Sequence, residues 1–196
     1  MNKTIRSLSC VVVFVISLFV LFGCDIGHKA KLKKDAQSYI YMKSYINQAT
    51  EEYYAMLERP INTNGIDFED DSGGSMYQIF FNMLESAEEY TKEIQSEEFE
   101  KAIQLNIESI DALKKAYVDY TAFCHAMYLY GKDRSVIYDQ GFQIIHMDSY
   151  ANYEKQDRRF QDCYSMVQEE EDKLNDMGLF EDVEWPDDSG DYADED

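Results

Sequence analysis

The chain is poor in the residues on which most site chemistry depends. Its 196 residues include three histidines, two prolines and one tryptophan, and 18 basic side chains face 39 acidic ones. Phosphate binding needs a cationic surface, so a formal charge of −21 argues against nucleic acid as a partner. The shortage of histidine narrows metal chemistry in the same way. A ferritin-like di-metal bundle needs a Glu-x-x-His motif on each of two helices, but Ala122 and Gln143 stand three residues before His125 and His146, and His28 lies near the N-terminus. No His-x-x-x-His or Cys-x-x-Cys pair offers ligands for zinc or copper. There is no Gly-x-Ser-x-Gly elbow and no phosphate-cradling glycine loop. The sequence therefore leads us to expect no metal, no cofactor and no catalytic residue, and it does not state what the body of the protein does.

Two acidic runs resemble calcium loops only in part. Asp67, Glu69 and Asp71 alternate as the first ligands of such a loop do, but its sixth position is Ser72 where glycine is required, and its twelfth is Gln78 where glutamate is required. That run, like Asp187 to Asp191, reads as a solvated acidic segment.

Long hydrophobic runs are also scarce: the longest stands at the N-terminus. Met1 to Arg6 carries Lys3 and Arg6 and no acid, and Ser7 to Phe22 is an uncharged stretch dominated by Val, Ile, Leu and Phe. This is the layout of an export signal. A spanning helix needs roughly 20 apolar residues and usually a cationic stop beyond them, whereas this run breaks at Gly23 and is followed by Cys24-Asp25. Leu21-Phe22-Gly23-Cys24 resembles the lipobox of bacterial lipoprotein precursors. The resemblance implies cleavage before Cys24, a thioether diacylglycerol on its sulfur and often a third acyl chain on its new amino group. Two chains already anchor a protein stably. The alternatives are a cleaved signal followed by an incidental cysteine, and an uncleaved anchor.

Cleavage would remove Lys3 and Arg6, so the mature 173 residues keep 16 basic against 39 acidic side chains. Lys29, Lys31, Lys33 and Lys34 cluster within ten residues of the anchor, while Glu181 to Asp196 holds nine acids and no base. The expectation is that residues 24–34 form a lipidated, lysine-rich linker against the bilayer, where each lysine gains roughly 1 kcal/mol near anionic lipid, with the acidic end pointing away.

Periodicity divides the body into four helices. Tyr39, Met42, Ile46, Ala49, Tyr53 and Met56 mark the first, which Pro60 ends. Met76, Phe80, Met83, Ala87, Tyr90 and Ile94 mark the second. Ser96-Glu97-Glu98 reads as a capped restart, and Phe99, Ile103, Asn106, Ile110, Leu113, Tyr117, Tyr120, Cys124 and Met127 mark the third, which should stop near Gly131. The fourth seam, Tyr150, Tyr153, Asp157, Phe160, Tyr164, Val167, Glu171 and Leu174, carries two acids where apolar groups are expected. Lys155, Arg158 or Arg159 would be the natural ion-pair partner of Asp157. Residues 135–149 read as a short helix or an irregular link, and beyond Gly178 too few apolar groups remain to offset ordering entropy, which predicts a disordered acidic tail over 179–196.

Four narrow apolar stripes bury themselves most simply against one another. The expected fold is all-α, an antiparallel four-helix bundle over residues 35–178; a longer coiled-coil dimer is the alternative, disfavoured by Pro60 and the glycine-bearing loops. In that bundle Cys163 lies level with residues 101–117. Cys124 is then about 10–35 Å further along at 1.5 Å per residue, too far for a disulfide, which needs alpha carbons within about 7 Å. Two free thiols are expected.

Tyr39-Ile40 with Asn47, Tyr117-Val118-Asp119, and the run Tyr128, Tyr130, Tyr138, Asp139, Gly141 and His146 together resemble the YiiG-like lipoproteins, a bacterial family of helical, lipid-anchored proteins. The resemblance implies fold and location and no activity, because none is established for the family. Two functional readings follow. One is a membrane-tethered binding or scaffold module with an envelope protein as partner, of which an immunity or exclusion lipoprotein is a special case. The other is an envelope enzyme or ligand-binding protein with a polar pocket built from Asp157, His146 and tyrosines.

Overall fold

The computed structural model describes residues 3–58, 71–132, 140–181, 183–184 and 186, and side chains over 27–58, 77–128, 148–181, 183–184 and 186. The chain folds as α1 (Lys3–Leu57), α2 (Asp71–Glu93), a single 3-10 turn (Glu97–Phe99), α3 (Glu100–Lys132) and α4 (Gln140–Asp176). Residues 135–139, Asp67, Glu69 and the tail from Asp187 lie outside the described residues, whereas the rest of the link expected before Tyr150 is the first part of α4.

Side-chain pairs fix the topology. Between α1 and α2, Ser38 meets Glu93 and Tyr41 stacks on Tyr90. Between α2 and α3, Glu88 meets Lys114, and Phe80 stacks on Tyr117 with ring centroids 4.0 Å apart. Between α3 and α4, Lys101 meets Glu170, Asp111 meets Arg159 and Phe123 meets Tyr150. Between α4 and α1, Glu171 meets Tyr39 and Asp157 meets Tyr53. In each set of pairs one residue number rises as the other falls, so neighbouring helices are antiparallel. Asn106 with Tyr39 and Tyr120 with Leu57 rise together, which makes α1 and α3 the parallel diagonal. The result is an up-down-up-down bundle of the kind narrow apolar stripes favour.

The α1 stripe is buried at all six expected positions, and Asn106 is buried with the α3 stripe around it. Ile40 and Leu84 are core residues that the stripes did not include. α1 packs its backbone closely on α2, and α3 on α4. The two hairpins meet across α1 and α4 through long side chains: Tyr39, Lys43 and Tyr53 on one helix, Asp157, Tyr164 and Glu171 on the other.

The register leaves the cysteines apart. Cys163 lies level with about residue 108, where Glu108 adds to the upward shift of its thiol, so Cys124 stands roughly 24 Å further along the axis at 1.5 Å per residue. Both are buried free thiols.

The C-terminal end is longer than its composition suggests. Gly178 takes φ 72°, the left-handed position that closes a helix. Leu179 N–H donates to Leu174 O and Gly178 N–H to Asn175 O, which satisfies two terminal carbonyls. The chain then folds back and packs Leu179, Phe180 and Val183 on the core. The packed body therefore runs past Gly178, because these apolar side chains find a ready-made surface that includes Tyr39 of α1 and Phe99 of the 3-10 turn.

Candidate functional site

The lipid-attachment candidate, Cys24, stands within α1, and its side chain lies outside the described residues. The helix is unbroken from there to the bundle, so residues 24–34, expected as a linker, continue the first helix. Lys29, Lys31, Lys33 and Lys34 are all exposed on it. His28 and Lys31 face the α2–α3 corner, where they meet Glu98 at 3.3 Å and the carbonyl of Gln95 at 3.1 Å. Among the described residues, no helix is long and apolar enough to cross a membrane.

Asp35 fixes this corner. It is 2% exposed, and its Oδ2 accepts from Gln95 N, Ser96 N and Ser96 Oγ at 3.0, 2.8 and 2.6 Å. The Ser96 hydroxyl was expected to cap α3 by accepting from its first amides; it makes no such bond and donates to Asp35 instead. A carboxylate from another helix thus serves the backbone at the turn. Asp35 continues the α1 stripe one step before Tyr39, and that position was its only signal in the sequence.

Two phenol–carboxylate contacts hold α1 to α4. Tyr39 Oη donates to Glu171 Oε1 at 2.9 Å and accepts from Asn106 Nδ2 at 3.0 Å. Tyr53 Oη donates to Asp157 Oδ1 at 2.8 Å, while Gln161 Nε2 reaches the other oxygen at 2.8 Å. The tyrosines are fourteen residues apart on α1 and the acids fourteen apart on α4, two heptads or about 21 Å. This matched spacing accounts for both acids on the fourth seam. The cationic neighbour expected for Asp157 is a phenol instead: Arg158 pairs with Glu154 and Arg159 with Asp111.

Lys43 completes the upper contact. Its ammonium is 3.2 Å from Glu171 Oε1 and 5.0 Å from the centre of the Tyr164 ring, and the residue is 5% exposed. Burial pushes its pKa down, with Glu171 opposing that shift. Burial raises both phenols above the ordinary tyrosine value; the Glu171 charge adds to the shift of Tyr39, and the hydrogen bond to Asp157 adds to that of Tyr53. A phenol held protonated against a carboxylate is a hydrogen-bond donor and a poor nucleophile. Asn106 Oδ1 and Ser109 Oγ are buried without a hydrogen-bond partner among the described residues, an arrangement proteins rarely keep in their interiors.

The residues suggested for a polar pocket are described only in part. Asp157 is engaged as described, and the side chain of His146 lies outside the described residues. A hollow of about 300 Å³ opens elsewhere, between Thr91, Ile94 and Gln95 at the end of α2 and Glu100, Ile103 and Gln104 on α3. Among the described residues, no group of three His, Cys, Asp or Glu side chains is placed to hold a metal ion. Burial moves the Cys124 thiol up to about 11, with the Tyr120 hydroxyl opposing, and raises Cys163 as well; neither is a ready thiolate.

The start of the acidic segment, at Glu181 and Glu184, lies beside the lysine-bearing stretch of α1. Phe180 packs on Tyr39 and Phe99 with ring centroids 5.8 and 6.2 Å apart, and Gln37 Nε2 donates to Glu184 O at 3.0 Å. The expectation that the acidic segment points away from the lysines is thereby corrected for Glu181 to Glu184: an even number of antiparallel helices returns the chain to its starting end. Comparison with protein-family models, with curated proteins and with solved structures returned no match.

Proposed function

We propose that this chain is a lipid-anchored protein of the bacterial cell envelope, cut before Cys24 and held on the extracytoplasmic face of a membrane by acyl chains on that cysteine. Its helical body acts there as a non-enzymatic binding or scaffold module for another envelope protein. The observation that carries the reading is the succession of basic start, apolar run and Leu21-Phe22-Gly23-Cys24. The geometry of α1 supports it. Asp35 stands eleven helical steps from Cys24, so a lipid on that sulfur would hold the corner of the bundle within about 16 Å of its anchor, close enough for Lys29, Lys33 and Lys34 to reach anionic headgroups. The resemblance to the YiiG-like lipoproteins agrees with a helical body of this kind. A structural role for the seam carboxylates is supported by their partners, since Tyr39 and Lys43 engage Glu171 while Tyr53 and Gln161 engage Asp157.

Mass spectrometry of the membrane-extracted chain tests the anchor. The expected N-terminus is an acylated Cys24, and Cys24→Ser should leave the membrane; a chain that keeps its first 23 residues would overturn the proposal. Crosslinking in cells should recover one stoichiometric envelope partner, whereas turnover of a small molecule by the purified body would favour an enzyme.

A further inference from the structure

We propose that the acidic C-terminal tail, residues 187–196, docks on the Lys29–Lys33–Lys34 face of α1, and that it does so in competition with anionic lipid. The placement begins from a described contact. Glu184 is tied by its carbonyl to Gln37, and Lys33 lies one helical turn from Gln37 on the same side of α1, with Lys29 one turn further and Lys34 adjacent. These three lysines are exposed. Lys31 faces away from them, toward Gln95.

Charge complementarity selects the occupant. Six of the last ten residues are acidic and none is basic, and the helix face beside their point of departure carries three cations. The twelve residues after Glu184 span up to about 40 Å when extended, while Lys33 and Lys29 are about 6 and 12 Å from Gln37 along the helix. Reach alone does not favour this face, because Lys155, exposed on α4 near the opposite end of the bundle, is also within range. The density of positive charge favours it. Since the lysine face is the surface that an anionic bilayer would engage, lipid and tail compete for the same cations. The competition rests on the anchored reading given above; the docking itself does not.

The test is zero-length carbodiimide crosslinking of the full chain in detergent, then in vesicles of zwitterionic and of anionic phospholipid. The Lys101–Glu170 pair, 2.6 Å apart, serves as an internal standard. Tail carboxylates are expected to join Lys29, Lys33 and Lys34 and to leave Lys155 largely unmodified. Raising salt from about 0.1 to about 1 M shortens the screening length from about 10 to about 3 Å, so the yield should fall several-fold, as it should in anionic vesicles. Lys29→Glu, Lys33→Glu and Lys34→Glu together should abolish it.

Formation of the internal standard with no tail crosslink, or with tail crosslinks spread evenly to Lys155, would overturn the docking. Crosslinks that join isotopically distinct copies would also overturn it, since the contact is drawn within one chain. Equal yields on the two vesicle types would overturn the competition. Tail-to-lysine crosslinks in a chain whose Cys24 carries no lipid would leave the docking standing and remove the proposed anchor.

Discussion

Tyr53 donates its phenolic proton to Asp157 across 2.8 Å and 104 residues of sequence, and the same relationship recurs two heptads away between Tyr39 and Glu171. The repeat fixes both the stagger and the rotation of α4 against α1, because a slip of one residue on either helix would bring neither phenol to its acid.

If Tyr53 and Asp157 interact as described, their substitutions will not add. Tyr53→Phe and Asp157→Ala, alone and combined, are expected to give a coupling energy of about 1 kcal/mol in urea unfolding. Additivity of the two changes would show that the contact contributes nothing.

Glu171 compensates a buried ammonium. Its loss in Glu171→Ala is expected to cost about 3 kcal/mol, the low end for breaking a buried pair, because the acid keeps 26% of its side-chain surface in water. Lys43→Met in the same background should recover much of that loss by removing the charge left behind. A denaturation midpoint that does not recover would separate Lys43 from Glu171.

Alkali should unfold the protein. The phenols of Tyr39, Tyr53, Tyr54, Tyr120, Tyr90 and Tyr153 are all raised from their ordinary value of 10.0, in each case chiefly by burial. The unfolded chain sheds these protons near pH 10 while the folded chain retains them, so their stabilising effect is complete below pH 10 and is lost as pH rises above it. Lys43 acts in the opposite sense: its lowered value makes stability rise with pH up to 10.5. One lysine opposes six tyrosines, so a net fall above pH 10 is expected, with tyrosinate absorbance rising together with loss of helical circular dichroism. Tyrosine ionisation complete before any helix is lost would contradict the burial described.

Asp35→Ala is expected to cost about 2–4 kcal/mol, because it strands the amides of Gln95 and Ser96 at a buried corner. Ser96→Ala removes one hydroxyl and should cost about 1 kcal/mol. Equal unfolding midpoints for the two variants would mean that the backbone amides find another acceptor.

Much of this architecture was legible in the spacing of apolar residues. The α1 stripe from Tyr39 to Met56 and most of the α3 stripe from Phe99 to Met127 are buried as their periodicity requires, because a helix repeats every 3.6 residues whatever it packs against. Asp157 and Glu171 were legible as anomalies on the fourth seam, but their partners were not, since each contact joins residues more than a hundred positions apart.

The sequence by itself determined the helical class, the count of helices and the separation of Cys124 from Cys163, all of which follow from local periodicity and from the turns between elements. Only the tertiary structure decided that Asp35 serves the α2–α3 corner, that Lys43 shares Glu171 with Tyr39, and that Phe180 brings the start of the acidic segment back beside the lysines. Those contacts depend on how four helices are rotated and staggered about a common core, and no local pattern encodes a rotation between distant segments.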